Sequence, residues 1–398
     1  MTAQDALLQG LNPLARNAPA SGIVAVRVHA RGREGLIPLY VGEGDLPTPD
    51  FICEEAAAGL RDGETFYTWQ QGTPQLREAL ARYHARKLGV AAHPDEFMVT
   101  GSGMQSIQMA IQATTGPGEE CLYFSPAWPN FAAALAIAGG KPVAVELQQT
   151  QGGWIADIDA LAASITPRTQ AIFVNTPSNP TGWTASDAEI VAILDLARRH
   201  GLWIIADEIY ALFAYGRDRA PSFADHARED DRILQVNSFS KNWAMTGWRV
   251  GWIRTHPSLS PTMQNLGQYS TSGVAQFMQR GAVAALDHGD DFIAMQVERA
   301  QEARDILIGK LTATGRVTVA PPDGSFYLFF SIDGMTDTRQ AAFDIVDDVA
   351  VGLAPGSAFG AGGQAHFRAC FNRRLDQIEE AATRLADWIV RQPARRAA

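Results

Sequence analysis

Ile233–Ile253 reads ILQVNSFSKNWAMTGWRVGWI. It opens on a short strand-forming run, ILQV, which stops at the polar turn NSFSK. It closes on a second run, VGWI at 250–253, with Arg249 set between apolar neighbours. Short continuous runs rich in Val, Ile and aromatic residues read as strands covered on both faces. Lys241 alone says little, because lysine is normally solvated. Arg249 says more: the pattern GWRVGW predicts a buried guanidinium, which needs an anion.

The same kind of run recurs upstream: EFMVT at 96–100, CLYF at 121–124, PVAVEL at 142–147, AIFV at 171–174 and LWIIA at 202–206. Amphipathic stretches lie between them, such as SIQMAIQAT and ASDAEIVAILDLARRHG. Alternating strands and helices predict βαβ units, and hence an α/β fold with a mostly parallel, seven-stranded sheet sandwiched by helices. From about Asp291 the pattern changes to a long charged helix (MQVERAQEARDILIGKLTATG), a strand pair and two more helical segments. These read as a smaller α+β domain, onto which the first 45 or so residues wrap. The expected division is a large domain over 46–289 and a small one from 1–45 and 290–398. Internal repeats and low-complexity tracts are absent.

The chain has 398 residues, 46% hydrophobic and 19% charged, ordinary for a globular enzyme. Its net charge of -10 disfavours a phosphate backbone as partner, so no nucleic acid is expected. Only Arg391–Arg396 leans basic, as a frayed terminus would allow. Cys53, Cys121 and Cys370 have no disulfide or metal spacing and read as buried thiols of a reducing compartment, Cys53 facing the core from an amphipathic stretch. The eight histidines show no metal-ligand pairing, and His84, His93 and His366 read as surface residues or supports behind a site. The start, MTAQDALLQGLNPLA, has neither a basic head nor a long apolar run, and no window reaches the ~18 apolar residues of a membrane span. A cytoplasmic protein without membrane contact is expected.

Ligands of open α/β sheets bind beyond the carboxyl ends of the strands. Those ends carry GSGMQ after EFMVT, Trp128 in SPAWP, Asn179 in NTPSNPTG, Asp207 and Tyr210 in DEIY, and Ser238, Ser240 and Lys241 in NSFSK. Singly, each has a plain structural reading: Asn-Pro-Thr-Gly makes a turn, Asp207 caps a helix, and the aromatics fill a core. Together they match what one cofactor, pyridoxal 5'-phosphate (PLP), requires. A lysine amine forms an imine with its aldehyde. An aspartate keeps the pyridine nitrogen protonated, so that the ring draws electrons. A tyrosine and an asparagine can donate to the phenolic oxygen, an aromatic can stack on the ring, and a helix start can receive the phosphate.

On these residues the sequence resembles the class I/II aminotransferases, fold type I PLP enzymes of the aspartate aminotransferase superfamily. The resemblance spans nearly the whole chain: VGEGDLPTP at 41–49, FYTWQQGTPQLREAL at 66–80, TGSGMQSI, NTPSNPTG, DEIY, NSFSKNWAMTGWRVGW, GSFYLF, LAPGSAFG and AHFRACF. It implies that Lys241 forms the Schiff base and shuttles protons, and that Asp207 pairs with the pyridinium. It implies that Asn179 and Tyr210 hold the phenolic oxygen and that Trp128 stacks on the ring. Ser102, Gly103, Met104, Ser238 and Arg249 would bind the phosphate. Tyr67 would reach the phosphate of a partner subunit, making a homodimer with shared sites. Arg368 would clamp the substrate α-carboxylate, with Gly42 contributing a backbone contact and Asn179 nearby. Gly44 departs from the proline common in relatives, while Gly42 remains.

The implied reaction is ping-pong transfer of an amino group from an L-amino acid to a 2-oxo acid. A β-elimination lyase on the same scaffold is the alternative, since it would use the same lysine and arginine. A DNA-binding PLP regulator is disfavoured by the few residues before VGEGD, and a nucleotide-binding oxidoreductase by the lack of a three-glycine fingerprint. The substrate side chain is expected near Ser21–Val24, near Gln268–Ser272 and near the partner. With no second arginine committed to a side-chain carboxylate, a neutral or aromatic side chain is favoured over a dicarboxylic one.

Overall fold

The computed structural model of the chain describes residues 7–393; the end of the basic stretch Arg391–Arg396 lies outside the described residues. The seven apolar runs form seven strands: β1 Phe97–Thr100, β2 Glu120–Ser125, β3 Lys141–Glu146, β4 Thr169–Asn175, β5 Trp203–Asp207, β6 Ile233–Ser238 and β7 Gly251–Arg254. They build one sheet in the order β1-β7-β6-β5-β4-β2-β3. Only β7 runs antiparallel to its neighbours. The continuous burial of β1, of β4 except Gln170 and Asn175, and of β6 except Ile233 is what a sheet covered on both faces requires.

The helices on the sheet carry clear local signals. Helix α4 (Gly103–Thr114) starts at Ser102, whose hydroxyl accepts from the Gln105 N–H. Helix α5 (Asp187–His200) begins with a Ser186/Glu189 capping box and ends at Gly201, whose φ of 66° suits glycine. Ile190, Ile193, Leu194 and Ala197 form its inward stripe.

One expected helix is missing. The crossover from β5 to β6 holds only a short 3-10 turn, Phe223–Asp225. This segment is instead pinned to residues 324–327. Ala214 bridges to Gly324, the Tyr215 hydroxyl donates to the Ser325 carbonyl, and Tyr210 and Phe213 pack edge-on against Phe326. Aromatic anchoring replaces helical packing here.

After α6 (Gln276–His288) and α7 (Asp290–Thr312), a second, antiparallel sheet appears: β8 Val317–Val319, β9 Tyr327–Ile332, β10 Ala354–Pro355 and β11 His366–Cys370, in the order β8-β9-β11-β10. The strand pair read from the sequence is thus half of a four-stranded sheet. Helices α8 (Thr338–Val349) and α9 (Leu375–Arg391) accompany it, and Ile37–Pro38 of the N-terminal segment pairs with Val351–Gly352.

Two side chains differ from expectation. Cys53 is exposed, because Ile52, Ala56 and Gly59 set the inward face of helix α2 (Asp50–Arg61) and Cys53 lies one residue, about 100°, off it. Cys121 and Cys370 are buried. His84 is not at the surface: it continues the buried stripe Leu76, Leu80, Tyr83 and accepts from the Trp252 indole N–H at 3.2 Å. Burial, helped by Arg254, pushes its imidazole down to about 3. His93 is exposed and His366 half-buried.

The folded state therefore keeps His84 neutral where the unfolded chain takes up a proton below about pH 6.5. Stability should fall as pH drops from there towards 3, by up to ~1.4 kcal/mol per pH unit from this one group. Urea midpoints of the wild type and His84→Gln, compared between pH 7 and 4.5, check this. The variant should show the shallower slope, and parallel slopes would contradict it.

Candidate active site

The carboxyl ends of the central strands open into one cavity of about 430 Å³. Register brings its polar groups together, because Asn175 at the end of β4 sits directly beside Asp207 at the end of β5. Ser238 ends β6 opposite Gly251. A Cβ on Gly251 would lie 2.7 Å from the Gly103 nitrogen, so only glycine lets the 101–103 loop close onto the sheet here.

Of the residues singled out in the sequence, Gly42, Gly103, Met104, Trp128, Asn179, Asp207, Tyr210, Ser238, Lys241, Arg249 and Arg368 all line this cavity. Ser102 lies just behind, buried and occupied in capping α4. Tyr67 is not brought in by its own chain; it is 94% exposed on the surface. Ser21, Ile23 and Val24 line the cavity as expected for a side-chain pocket, whereas Gln268–Ser272 do not.

Asp207 is buried and its Oδ1 has no partner among the described residues. Burial pushes its carboxyl up to about 7, against the pull of the Ile209 N–H and of Lys241. A cation placed at Oδ1 would satisfy the atom and bring the carboxyl back down. Lys241 Nζ donates to the Gly42 carbonyl at 2.7 Å. Burial lowers its ammonium to about 8, assisted by Arg368 and Arg249 and opposed by Cys370 and Glu43. A larger share of neutral amine at physiological pH makes a better nucleophile.

Arg368 on β11 is only 2% exposed. Its Nη1 donates to Asn179 Oδ1 at 3.1 Å and its Nη2 to the Tyr40 carbonyl, and its guanidinium lies 4.5 Å over the Tyr327 ring. Among the described residues it forms no ion pair, so a buried cation is left without a carboxylate. Arg249 differs from expectation. It is exposed rather than buried, because φ of 56° turns the backbone outward and its Nη1 returns to the Thr246 carbonyl at 2.7 Å. It still borders the cavity, as a cation at the mouth.

Sequence reasoning missed several lining residues, Asn175, Tyr327, Thr246 and Arg27 among them. Asn175 orients the NTPSNPTG turn, its Oδ1 accepting from the Asn179 N–H at 2.8 Å. Tyr327 enters from GSFYLF, and Thr246 from NSFSKNWAMTG. Arg27, on helix α1 (Gly22–His29), borders the cavity beside Ile23, one helical turn before it. Spacing alone could not show that this helix faces the sheet's carboxyl edge. A further signal was available for Lys241, which is one of only four lysines in the chain. Among the described residues no cluster of His, Cys, Asp and Glu could hold a metal, and no helix is long and apolar enough to cross a membrane.

Known proteins resemble this chain in sequence and in fold. The family described as aminotransferase class I and II matches residues 34–385. Aromatic-amino-acid aminotransferase 2 of Thermococcus litoralis is 34% identical over 360 residues, covering 89% of this chain and 92% of the relative. Aspartate aminotransferase of Rhizobium meliloti is 32% identical over 380 residues, covering 91% and 92%. Among solved structures, alanine aminotransferase from Pyrococcus furiosus superposes with a TM-score of 0.90 at 27% identity, over 96% of this chain and 100% of that one. Aspartate aminotransferase from Thermus thermophilus with maleate gives 0.88 at 32% identity, over 95% and 99%.

The depressed ammonium gives a test that needs no ligand. Cofactor-free protein treated with an amine-acylating reagent should label Lys241 with a midpoint near pH 8, read by peptide mapping. A midpoint at the ~10.4 of free lysine would contradict the desolvated setting.

Proposed function

Because the chain belongs to the aminotransferase class I and II family, with the fold type I architecture of its solved relatives, we propose that it is a PLP enzyme that moves an amino group from an L-amino acid to a 2-oxo acid in ping-pong order. The carrying observation is that one cavity joins Lys241 to a buried carboxylate with an unpartnered oxygen, Asp207, and to a buried arginine without an acid, Arg368. The relatives and structures described above are aminotransferases, and nothing among them supports a lyase.

The residues fit the cofactor group by group. Asp207 Oδ1 is an acceptor waiting for the protonated ring nitrogen. Tyr210 and Asn179 offer donors for the phenolic oxygen, and Trp128 a face for the ring. The start of α4, Ser238 and Arg249 form a cationic, N–H-rich corner for the phosphate. Lys241 would hold the cofactor covalently through Nζ. When bound, PLP supplies a ring that withdraws electrons from the substrate's Cα. The chain does the rest. Arg368 grips the α-carboxylate and fixes the Cα–H bond relative to Lys241. Lys241 Nζ, freed as an amine, is the base that carries the proton off Cα.

The side chain of the substrate points towards Arg27. Lys241, Arg249 and Arg368 each have a use in this reading, and Arg27 is the cation left over, beside the apolar Ile23 and Val24. This supports an acidic side chain, against the sequence expectation of a neutral or aromatic one. The Thermus relative was solved with maleate, a dicarboxylate.

Assembly as a homodimer is part of the proposal. Phe66, Tyr67 and Trp69 are 83%, 94% and 66% exposed, and Gln70 ties their loop to Gln268, next to the 89%-exposed Tyr269. Exposed aromatics so grouped suit an interface, from which Tyr67 would reach the partner's phosphate. The free cysteines support a reducing, cytoplasmic location.

Two experiments test the reading. PLP followed by borohydride should fix the cofactor to Lys241, and Arg368→Lys should then keep the adduct while losing ~2–5 kcal/mol in kcat/KM for amino acids. An adduct on another lysine, or undiminished turnover by the variant, would overturn the assignments. For the side chain, Arg27→Ala should cost about tenfold in kcat/KM with aspartate and little with phenylalanine, the loss expected for one charge pair. Equal losses on both would remove Arg27 from the pocket.

A further inference from the structure

Lys241 and Arg249, given above to the imine and the phosphate, stand on one short stretch of chain. Between them runs an irregular turn, 244–249, that is strained at both ends. Ala244 and Arg249 have φ of 52° and 56°, a left-handed conformation that residues other than glycine rarely adopt. Such backbone persists only where its surroundings hold it. Residues 43–48 tie this turn at three points. Thr48 makes two of the ties with one hydroxyl: its Oγ1 donates to the Ala244 carbonyl at 2.7 Å and accepts from the Trp248 indole N–H at 3.0 Å. The third is the Thr246 hydroxyl, which donates to Glu43 Oε2 at 2.9 Å.

Thr48 is well anchored for this task. It stands two residues before helix α2, whose start is closed by the Ile52 N–H on the Pro49 carbonyl at 3.0 Å. The Trp248 ring lies against α6, where a Cβ on Gly281 would come within 2.8 Å of it. The indole is thus gripped by α6 at its ring and by Thr48 at its N–H. The Arg249 side chain belongs to the same unit, because its Nη1 donates to the Thr246 carbonyl at 2.7 Å. Any shift of the turn carries the guanidinium with it.

We propose that Thr48 is a positioning residue for the phosphate: by fixing both ends of the turn, its hydroxyl sets where Arg249 stands relative to Lys241. The inference rests on the cofactor reading above. A ligand anchored at two points binds best when the anchors are already spaced to its length, so drift of one anchor costs affinity. Thr48 does not line the cavity, and it acts through Arg249 alone.

The test compares PLP with pyridoxal, which has the aldehyde but no phosphate. Absorption titrations of cofactor-free protein with each give two dissociation constants, whose ratio measures the phosphate's share of binding. Thr48→Val removes the hydroxyl at nearly constant size. It should weaken PLP about tenfold, the worth of one hydrogen bond between Arg249 and the phosphate, and leave pyridoxal unchanged. Thr48→Ser keeps the hydroxyl and should behave as the wild type. Arg249→Ala should lower the preference for PLP at least as much, and adding Thr48→Val to it should lower it no further. Trp248→Phe removes the same bond from its other side; it should lower the preference too, and serves if Thr48→Val does not fold. Equal losses for PLP and pyridoxal would make Thr48 a support of the fold alone and overturn the proposal. An unchanged preference in Thr48→Val, or a further fall in the Arg249→Ala background, would also overturn it. The reading beneath fails differently. Wild-type protein that binds neither aldehyde refutes the cofactor, and an undiminished preference in Arg249→Ala takes the phosphate away from Arg249; either result removes the proposal with it.

Discussion

Burying a charge without a counter-charge costs several kcal/mol, and the cavity at the carboxyl edge of the sheet holds two such groups. Arg368 is sealed between Tyr327 and Phe359 with carbonyl oxygens as partners and, among the described residues, no acid. Asp207 closes β5 with one oxygen unsatisfied. A chain selected for stability alone would have removed both. Their persistence in one cavity makes sense if a ligand completes each, a cation at Asp207 and a carboxylate at Arg368. The remaining features serve that purpose: the sheet register, the glycine contact at 251, and the second sheet that carries Arg368 across to Asn179.

The two sheets make different contributions. The parallel sheet supplies Asp207, Asn175 and Ser238 from adjacent strand ends, at positions fixed by backbone hydrogen bonds. The antiparallel sheet supplies Arg368 and Tyr327 from paired strands. In the proposed reading, substrate between Lys241 and Arg368 would touch both layers. Lys241 itself is tuned by this join, because Gly42, Glu43, Cys370 and Arg368 all reach it from the N-terminal segment and the second sheet.

Much of this was legible in the sequence. Seven apolar runs became seven strands of one sheet, because a buried parallel strand leaves a continuous apolar signal that tolerates little else. The strand-end residues followed directly, since a strand's last residue is fixed by its length. What failed to show depended on rotation or partnership. Cys53 and His84 were misplaced by the angular phase of a helix, where one residue turns a side chain from core to solvent. Arg249 looked buried because its neighbours are apolar, but a left-handed φ reversed its direction. Arg27 and Tyr327 acquire meaning only when elements hundreds of residues apart meet. Tyr67 is exposed and does not line its own chain's cavity, so a single chain does not show its role.

The central claim is that Asp207 waits for a protonated ring nitrogen. It is tested most directly by nitrogen-15 NMR of the protein loaded with PLP labelled at the pyridine position. The account predicts the chemical shift of a protonated nitrogen at neutral pH, and its loss in Asp207→Asn, which keeps the shape but not the charge. A wild-type nitrogen that is unprotonated at neutral pH, or one equally protonated in the variant, would contradict it.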